Sequence, residues 1–215
     1  MGSAHPFARI IFGTPSLLEA WKKAFPDPVV SPAHHARFLT IECPGVVTVA
    51  DAEAGGWIPT FSNVERLELC GSGLNLVPFH NFSPVLKSLR LILGFLPSLN
   101  IFNLICSLPL LEDLNLDIAD VDCLIFRHST SPPLTGTLTL NLYTGEGYLT
   151  HRLLDLPNGL HFRSLVCTLP PGDGLQRVTA LVEGCADTLE HVYIDCSTSG
   201  ELLPLDFCDG SGVPT

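Results

Sequence analysis

The sequence has few charged residues, and most of those are acidic. Only 15% of the 215 residues are charged, whereas 46% are apolar. This composition excludes an intrinsically disordered chain, which combines low hydrophobicity with high charge, and it contains too little Lys and Glu for a coiled coil. With 11 basic residues against 22 acidic ones, the chain lacks the clustered Lys and Arg that bind phosphate. Nucleic acid is therefore not an expected partner.

The charge imbalance lies entirely in the second half of the chain. Residues 1–110 contain seven acidic and seven basic residues, whereas residues 111–215 contain fifteen and four. The whole net charge of −11 therefore belongs to the second half. We expect this half to repel anions and acidic lipid surfaces.

The chain also lacks the motifs that carry catalysis or cofactor binding. It contains no GxGxxG, Walker loop, GxSxG or HExxH, and its eight cysteines include no CxxC pair. Most cysteines lie in apolar runs, so we expect buried, reduced thiols. We predict no catalytic residue, no cofactor and no metal, and interpret one acidic cluster as a solvated edge, with a weak divalent-cation site as the alternative. That cluster consists of Glu112, Asp113, Asp117, Asp120 and Asp122.

Targeting segments are not expected. Residues 1–6 have neither the basic region nor the long apolar region of a signal peptide. Leu91 to Leu111 is uncharged and long enough to span a bilayer, but it contains prolines and asparagines that are costly in lipid. We interpret it as part of a repeat, and expect a cytoplasmic or nuclear protein without a membrane partner.

The dominant pattern is a recurring apolar triplet of the form φ-x-x-φ-x-φ. Its middle residue, which we call the anchor, recurs at spacings of 29, 28, 22, 25, 24, 27 and 27 residues. A period of 20–29 residues with this pattern is the signature of a leucine-rich repeat. The eight anchors are Ile10, Leu39, Leu67, Leu89, Leu114, Leu138, Leu165 and Val192.

Residues two apart on a strand share a face, so each anchor and the residue two after it should point into one core. The rest of each repeat returns the chain behind the sheet, which makes the next strand parallel. We therefore predict an α/β fold: an irregular leucine-rich-repeat-like solenoid over residues 7–197, with a parallel sheet and with helices and loops on its convex side. Residues 1–6 and 198–215 are predicted to be tails, the second one loosely ordered.

The return segments contain three helical patterns. Thr14 and Pro15 form a capping pair before apolar residues at helical spacing. Ser98 is predicted to cap a second helix, and apolar residues from Leu175 to Cys185 form a third stripe. Between 120 and 134 there is no helical period, so we predict a loop there.

The residues one before, one after and three after each anchor should face outward on the concave side of the sheet. They are mostly polar, as expected for strands with water on one side. Basic residues come early among them and acidic ones mainly later, so a partner lying along the sheet would meet a field that changes sign near the fourth and fifth strands. The predicted partner-binding residues are Arg66, Glu68, Ser88, Arg90, Asp113, Asn115, Asp117 and Thr139.

Several stretches resemble a group of proteins from mushroom-forming fungi described as F-box or F-box-like. The residues that carry the resemblance are 17–58, 82–91 (FSPVLKSLRL), 105–116 (ICSLPLLEDLNL), 129–140 (STSPPLTGTLTL) and 153–169. The resemblance implies an N-terminal F-box that docks on the Skp-type adaptor of a cullin ubiquitin ligase, followed by repeats that select the substrate. Here the first repeat begins at Phe7, which leaves no room for the F-box. We therefore expect this chain alone not to bind the adaptor.

These observations favour a protein–protein interaction module, related to ubiquitin-ligase substrate receptors, over an enzyme. One alternative is a non-functional or truncated paralogue. The other is a hydrolase that uses the edge formed by Asp113 and Asp117, or a cysteine. An enzyme needs a deep pocket with converging polar groups, whereas the predicted sheet offers a broad open face.

Overall fold

A computed structural model describes residues 8–42, 47, 49–53, 56–71, 76–80, 82–96, 98–121, 130–141, 148–169 and 174–196. Eight strands form a single sheet in which spatial order follows sequence order and every neighbouring pair is parallel. The predicted tails lie outside the described residues. The strands are β1 (Arg9–Phe12), β2 (Phe38–Ile41), β3 (Arg66–Gly71), β4 (Ser88–Leu96), β5 (Asp113–Val121), β6 (Thr137–Asn141), β7 (Ser164–Thr168) and β8 (His191–Asp195).

The predicted anchors set the register of this sheet. Each anchor lies on its own strand and pairs directly with the anchors of the neighbouring strands. On β1 to β7 the anchor and the residue two after it are buried, because these alternate residues point to the same side of the strand. The prediction of one parallel sheet centred on the eight anchors is confirmed.

In the described ranges, four helices lie in the segments between strands. They are α1 (Pro15–Ala24), α2 (Ser98–Ser107), α3 (Tyr148–Leu154) and α4 (Gly174–Gly184). Shorter 3-10 helices occupy Pro28–Val30, Pro32–His35, Val49–Ala52, Ile58–Phe61 and Val77–Phe79.

Three helices follow the sequence patterns, and one does not. The Thr14 hydroxyl accepts the Leu17 N–H at 3.3 Å, as predicted for the N-cap of α1. The predicted second and third helices are also present, but α2 already includes Ser98, which was predicted to precede it as the cap. Helix α3 was not predicted. The predicted loop over 120–134 starts too early, because residues 120 and 121 still belong to β5. Residues 130–134 contain no helix, and residues 122–129 lie outside the described part.

An aromatic cluster closes the core between β1 and α1. The ring of Phe12 meets those of Trp21, Trp57 and Phe61 edge-on, with centroids 5.7, 6.0 and 6.5 Å away. Edge-to-face contacts of this kind stabilise a core beyond the apolar area that they bury. Both tryptophans, Trp21 and Trp57, therefore pack in the segments between strands.

The uncharged stretch from Leu91 to Leu111 divides into the end of β4, the ten-residue helix α2 and the approach to β5. Most of its apolar side chains with described burial lie in the core, among them Ile101, Leu104 and Leu108. In the part of the chain that the structure describes, no helix has the length and apolarity needed to cross a membrane.

The strands are joined by a repeated backbone pattern just before each strand begins. At six of the seven junctions, the carbonyl oxygen two residues before one anchor accepts two N–H groups from the next repeat. For example, the Glu65 carbonyl accepts the Lys87 N–H at 2.9 Å and the Ser88 N–H at 3.0 Å. These bonds extend the hydrogen bonding between strands to the residues just before each strand begins. They therefore fix the alignment of each strand with the next.

Candidate protein-binding face

The outward face of the sheet consists of the residues one before, one after and three after each anchor. Most of these side chains are exposed or half-buried. Thr40, 9% exposed, is the one described member of these rows that is classed as buried. The face is therefore accessible to a partner along the sheet, as the alternation of apolar and polar residues predicts.

The eight predicted site residues lie together on four adjacent strands. The register places Glu68, Arg90, Asn115 and Thr139 side by side across β3 to β6. Parallel strands lie about 4.8 Å apart, so this row spans about 14 Å. A second row begins the strands with Arg66, Ser88 and Asp113, and Asp117 lies beyond the first row on β5. The sequence therefore identified one contiguous patch.

On β3 and β4 this patch is held by contacts within the chain. Arg90 Nη1 lies 3.0 Å from Glu68 Oε1, and the Cys70 thiol donates to the same oxygen at 3.7 Å. The Arg66 guanidinium lies 5.5 Å from the centroid of the Phe38 ring, in a cation–π arrangement. A partner that bound Glu68 or Arg90 by charge would first have to compete with this ion pair.

Asp113 has a structural contact that its sequence position did not suggest. Its Oδ1 accepts the Thr137 N–H at 2.7 Å, at the only junction where the upstream carbonyl accepts a single N–H, that of Gly136. Leu134 precedes this junction with a φ of 46° and is buried. In other repeats the first apolar residue of the triplet lies three residues before the anchor. Leu134 takes this role in the sixth repeat, but it lies four residues before its anchor, Leu138. Because of this extra residue, the Glu112 carbonyl does not accept the second N–H of the junction. The Asp113 carboxylate accepts that N–H, from Thr137, in its place.

The part of the patch on β5 and β6 presents polar groups without such contacts. Asn115, Asp117 and Thr139 are half-buried, and none of them has a side-chain hydrogen bond or ion pair to the described residues. Their amide, carboxylate and hydroxyl groups can accept hydrogen bonds, and the first and last can also donate them. The polar groups that have no partner among the described residues therefore lie on β5 and β6. The sequence analysis had expected the centre of binding one strand earlier, near β4 and β5, where the charge of the outward rows changes sign.

A row of charges that the sequence analysis missed lies two residues before the anchors. It alternates in sign at Arg37, Glu65, Lys87 and Glu112, with ion pairs of 2.9 Å between the first two and 3.1 Å between the last two. Exposed pairs of this kind contribute about 0.2–1 kcal/mol each. The signal was present in the sequence, since the row has the same period as the anchors.

Four of the described cysteines have thiols with raised pKa values. Burial raises the pKa of the Cys70 thiol from 9.0 to about 11, and the Glu68 carboxylate adds to the shift. Burial also raises the pKa of Cys106 and Cys167 to about 11, and that of Cys185 in the same direction. All four are thiols at neutral pH, whereas the thiolate is the reactive form.

Metal ligands are not grouped in the described part of the chain. No set of three or more His, Cys, Asp or Glu side chains there is arranged to hold a metal ion. Of the acidic cluster, Asp113 contacts the backbone of β6 and Glu112 pairs with Lys87. The side chains of Asp120 and Asp122 lie outside the description.

Comparisons with models of known families, with curated proteins and with solved structures find no match to this chain.

Proposed function

We propose that this chain is a protein–protein interaction module in which the outward face of the sheet, centred on β5 and β6, binds a protein partner. The observation that carries the proposal is the placement of the eight site residues on four adjacent strands, accessible to solvent. Interfaces concentrate their binding energy near the centre of the buried patch, and Asn115 lies near the middle of this row, between Arg90 and Thr139.

We propose that the sheet belongs to an irregular leucine-rich-repeat-like solenoid with this face on its concave side. Support comes from the sequential parallel order of the strands, the anchor spacing of 22–29 residues and the backbone pattern repeated at six junctions. Each repeat contacts its neighbours and cannot bury its apolar edge alone. Such stacks present extended surfaces, which suit protein partners better than small molecules.

The chemistry of the outward face favours a partner that presents basic and hydrogen-bond-donating groups. From β5 to β8 its rows contain the acids Asp113, Asp117 and Asp195, several hydroxyl and amide side chains, and no Lys or Arg. Charge complementarity would orient the partner and speed its association more than it would raise affinity. The basic segment of the partner would therefore lie over β5 to β8.

We further propose that this module selects substrates in a ubiquitin-ligase context. This part of the proposal is supported by the resemblance to fungal F-box-like proteins, whose repeats would carry that role. The non-enzymatic assignment is supported by an open face in place of a converging site and by the protonated thiols described above.

Affinity capture with paired variants tests the proposal. Tagged wild-type chain, incubated with an extract of a mushroom-forming fungus, should recover a stoichiometric protein partner. The charge-reversed variant Arg90→Glu/Asp117→Lys should recover at least tenfold less, because both changes lie on the outward face and the net charge is unchanged. Asp113 is left intact, since its contact with β6 would confound folding with binding.

The matched control reverses two charges elsewhere. Lys23→Glu/Glu183→Lys changes exposed residues on α1 and α4, again with no change in net charge, and should recover the partner at the wild-type level. Equal recovery by the Arg90→Glu/Asp117→Lys variant would refute the outward face as the binding surface. Recovery of a partner that is neither ubiquitinated nor associated with a ligase would refute the ligase context alone.

A further inference from the structure

Two arginines at the β1 end of the outward face are not paired with a carboxylate. Arg9 on β1 and Arg66 on β3 are both exposed, and neither forms an ion pair with a described residue. By contrast, Arg90 on the same face is paired with Glu68 at 3.0 Å. The charges of Arg9 and Arg66 are therefore available to an anionic ligand.

An exposed aromatic ring lies between these two arginines. In the register of the sheet, Phe38 on β2 pairs directly with Arg9 on one side and with Arg66 on the other. The Phe38 side chain is 41% exposed, and that of Ile11, two residues after Arg9 on the same face, is 47% exposed. The Arg66 guanidinium lies 5.5 Å from the centroid of the Phe38 ring. We call Arg9, Ile11, Phe38 and Arg66 the Arg–Phe site.

The Arg–Phe site combines two anion-binding groups with an apolar centre. A guanidinium can bind a carboxylate through two parallel N–H···O bonds. Parallel strands lie about 4.8 Å apart, so the backbones of Arg9 and Arg66 are about 10 Å apart, with Phe38 between them. Arginine and aromatic residues are also enriched at protein interfaces. A matching ligand therefore carries acidic groups on both sides of an apolar one.

We propose that the Arg–Phe site binds a protein segment in which an apolar side chain is flanked by acidic ones. The apolar side chain packs on Phe38 and Ile11, and the acidic side chains pair with Arg9 and Arg66. This site lies on β1 to β3, whereas the surface proposed above is centred on β5 and β6. The inference therefore goes beyond the proposed function and can hold or fail separately from it.

A protein segment is favoured over nucleic acid by the number of charges. Affinity for nucleic acid comes from many phosphate contacts, whereas the Arg–Phe site offers two cations. The net charge of −11 also repels an approaching polyanion. A short segment with two acidic side chains and one apolar side chain matches both the charge and the exposed apolar surface of the site.

Titration of the full chain with a synthetic peptide, followed by NMR, tests the inference. The probe peptide has one phenylalanine between two glutamates, with glycine and serine elsewhere. Its addition should shift the amide signals of Arg9, Phe38 and Arg66, but not those of β5 and β6. Replacing the phenylalanine of the peptide by alanine should weaken binding at least threefold, and replacing its glutamates by lysines should abolish it.

Variants of the chain test the same site from the other side. Arg9→Glu/Arg66→Glu should bind the probe peptide at least tenfold more weakly than the wild type, and Phe38→Ala at least threefold more weakly. The control variant Lys23→Glu/Arg163→Glu makes the same change in net charge at two exposed residues outside the outward rows, and should keep the wild-type affinity. Unchanged amide signals on β5 and β6 in each free variant would show that the sheet stays folded.

Three results would overturn the inference. One is the absence of shifts on β1 to β3 in the wild type, or equal affinity of the Arg9→Glu/Arg66→Glu variant. Another is equal binding of the peptides with phenylalanine and with alanine, because the site would then recognise charge alone. The third is tighter binding of a single-stranded oligonucleotide than of the probe peptide at the same residues, because the ligand would then be a nucleic acid.

Discussion

Gly136 and Asp113 form the most sharply testable contact in the sheet. A Cβ added at Gly136 would overlap Asp113 Oδ1 and lie 3.0 Å from Asp113 Cγ and 3.2 Å from the Glu112 carbonyl oxygen. Since Asp113 Oδ1 is the atom that accepts the Thr137 N–H at 2.7 Å, Gly136→Ala can be accommodated only if the carboxylate moves away. We expect that movement to break the hydrogen bond between β5 and β6.

The cost follows from the chemistry of that bond. A hydrogen bond to a charged group contributes about 1.5–3 kcal/mol, with a similar penalty for leaving a buried donor unpaired. Because the bond between Thr137 and Asp113 is only partly buried, we expect its loss to cost an amount at the lower end of this range. Replacing Gly by Ala also restricts the unfolded chain and returns about 0.4–1 kcal/mol. Gly136→Ala should therefore destabilise the protein by about 0.5–1 kcal/mol, and lower its melting temperature by about 1–4 °C.

A double-mutant cycle separates this mechanism from a general packing defect. Asp113→Ala alone should cost about 1.5–3 kcal/mol, and in that background Gly136→Ala should cost nothing or stabilise by about 0.4–1 kcal/mol. The assay is urea unfolding followed by circular dichroism for the wild type, both single variants and the double variant. Additive effects of the two substitutions would refute the contact as the reason for glycine at 136.

Three further predictions concern the core, the thiols and the adaptor. Leu114→Asp should lower the melting temperature sharply, since it buries an unpaired charge at a cost of several kcal/mol. As a control, Leu110→Asp should change the melting temperature little, because Leu110 is 47% exposed. An unchanged melting temperature for Leu114→Asp would disprove the register of the sheet. Because the folded pKa values of Cys70, Cys106 and Cys167 are raised from 9.0 to about 11, the free energy of unfolding should be independent of these thiols below pH 9 and fall between pH 9 and 11. A triple Cys→Ala variant that kept the same slope would exclude them as its cause. Purified chain and purified Skp-type adaptor should give no complex by size exclusion, because Ile10 and Phe12 of β1 are already buried in the core. A stoichiometric complex would overturn this.

The anchors were predictable because their period is a direct consequence of stacking. A parallel sheet whose strands each bury two alternate residues must repeat an apolar pair once per repeat, so position in the sheet can be counted along the sequence. The same counting placed the eight site residues on adjacent strands. Counting from the anchors would also have found the row of alternating charges two residues before them, at Arg37, Glu65, Lys87 and Glu112. This row was missed because the sequence analysis compared only the apolar positions and the outward positions of each repeat.

The rest depended on local exceptions to the period. Helix α3 buries Leu149 and Leu153 one turn apart but has only seven residues, too short for its helical period to be distinguished from a loop. The sixth repeat contains an extra residue, and Leu134 absorbs it with a backbone conformation that costs a bulky side chain about 1–3 kcal/mol. No sequence rule assigns that conformation to leucine, so the contact between Asp113 and β6 could not be foreseen.

These exceptions decide which substitutions can separate binding from folding on the outward face. Surface changes away from structural contacts usually alter stability by less than about 0.5 kcal/mol, and Asn115, Asp117 and Thr139 meet that condition. Asp113 does not, since its carboxylate completes the ladder between β5 and β6. A loss of partner binding caused by substitution of Asp113 would therefore report on the sheet as much as on the interface, whereas the same loss from Asn115, Asp117 or Thr139 would locate the partner on the outward face.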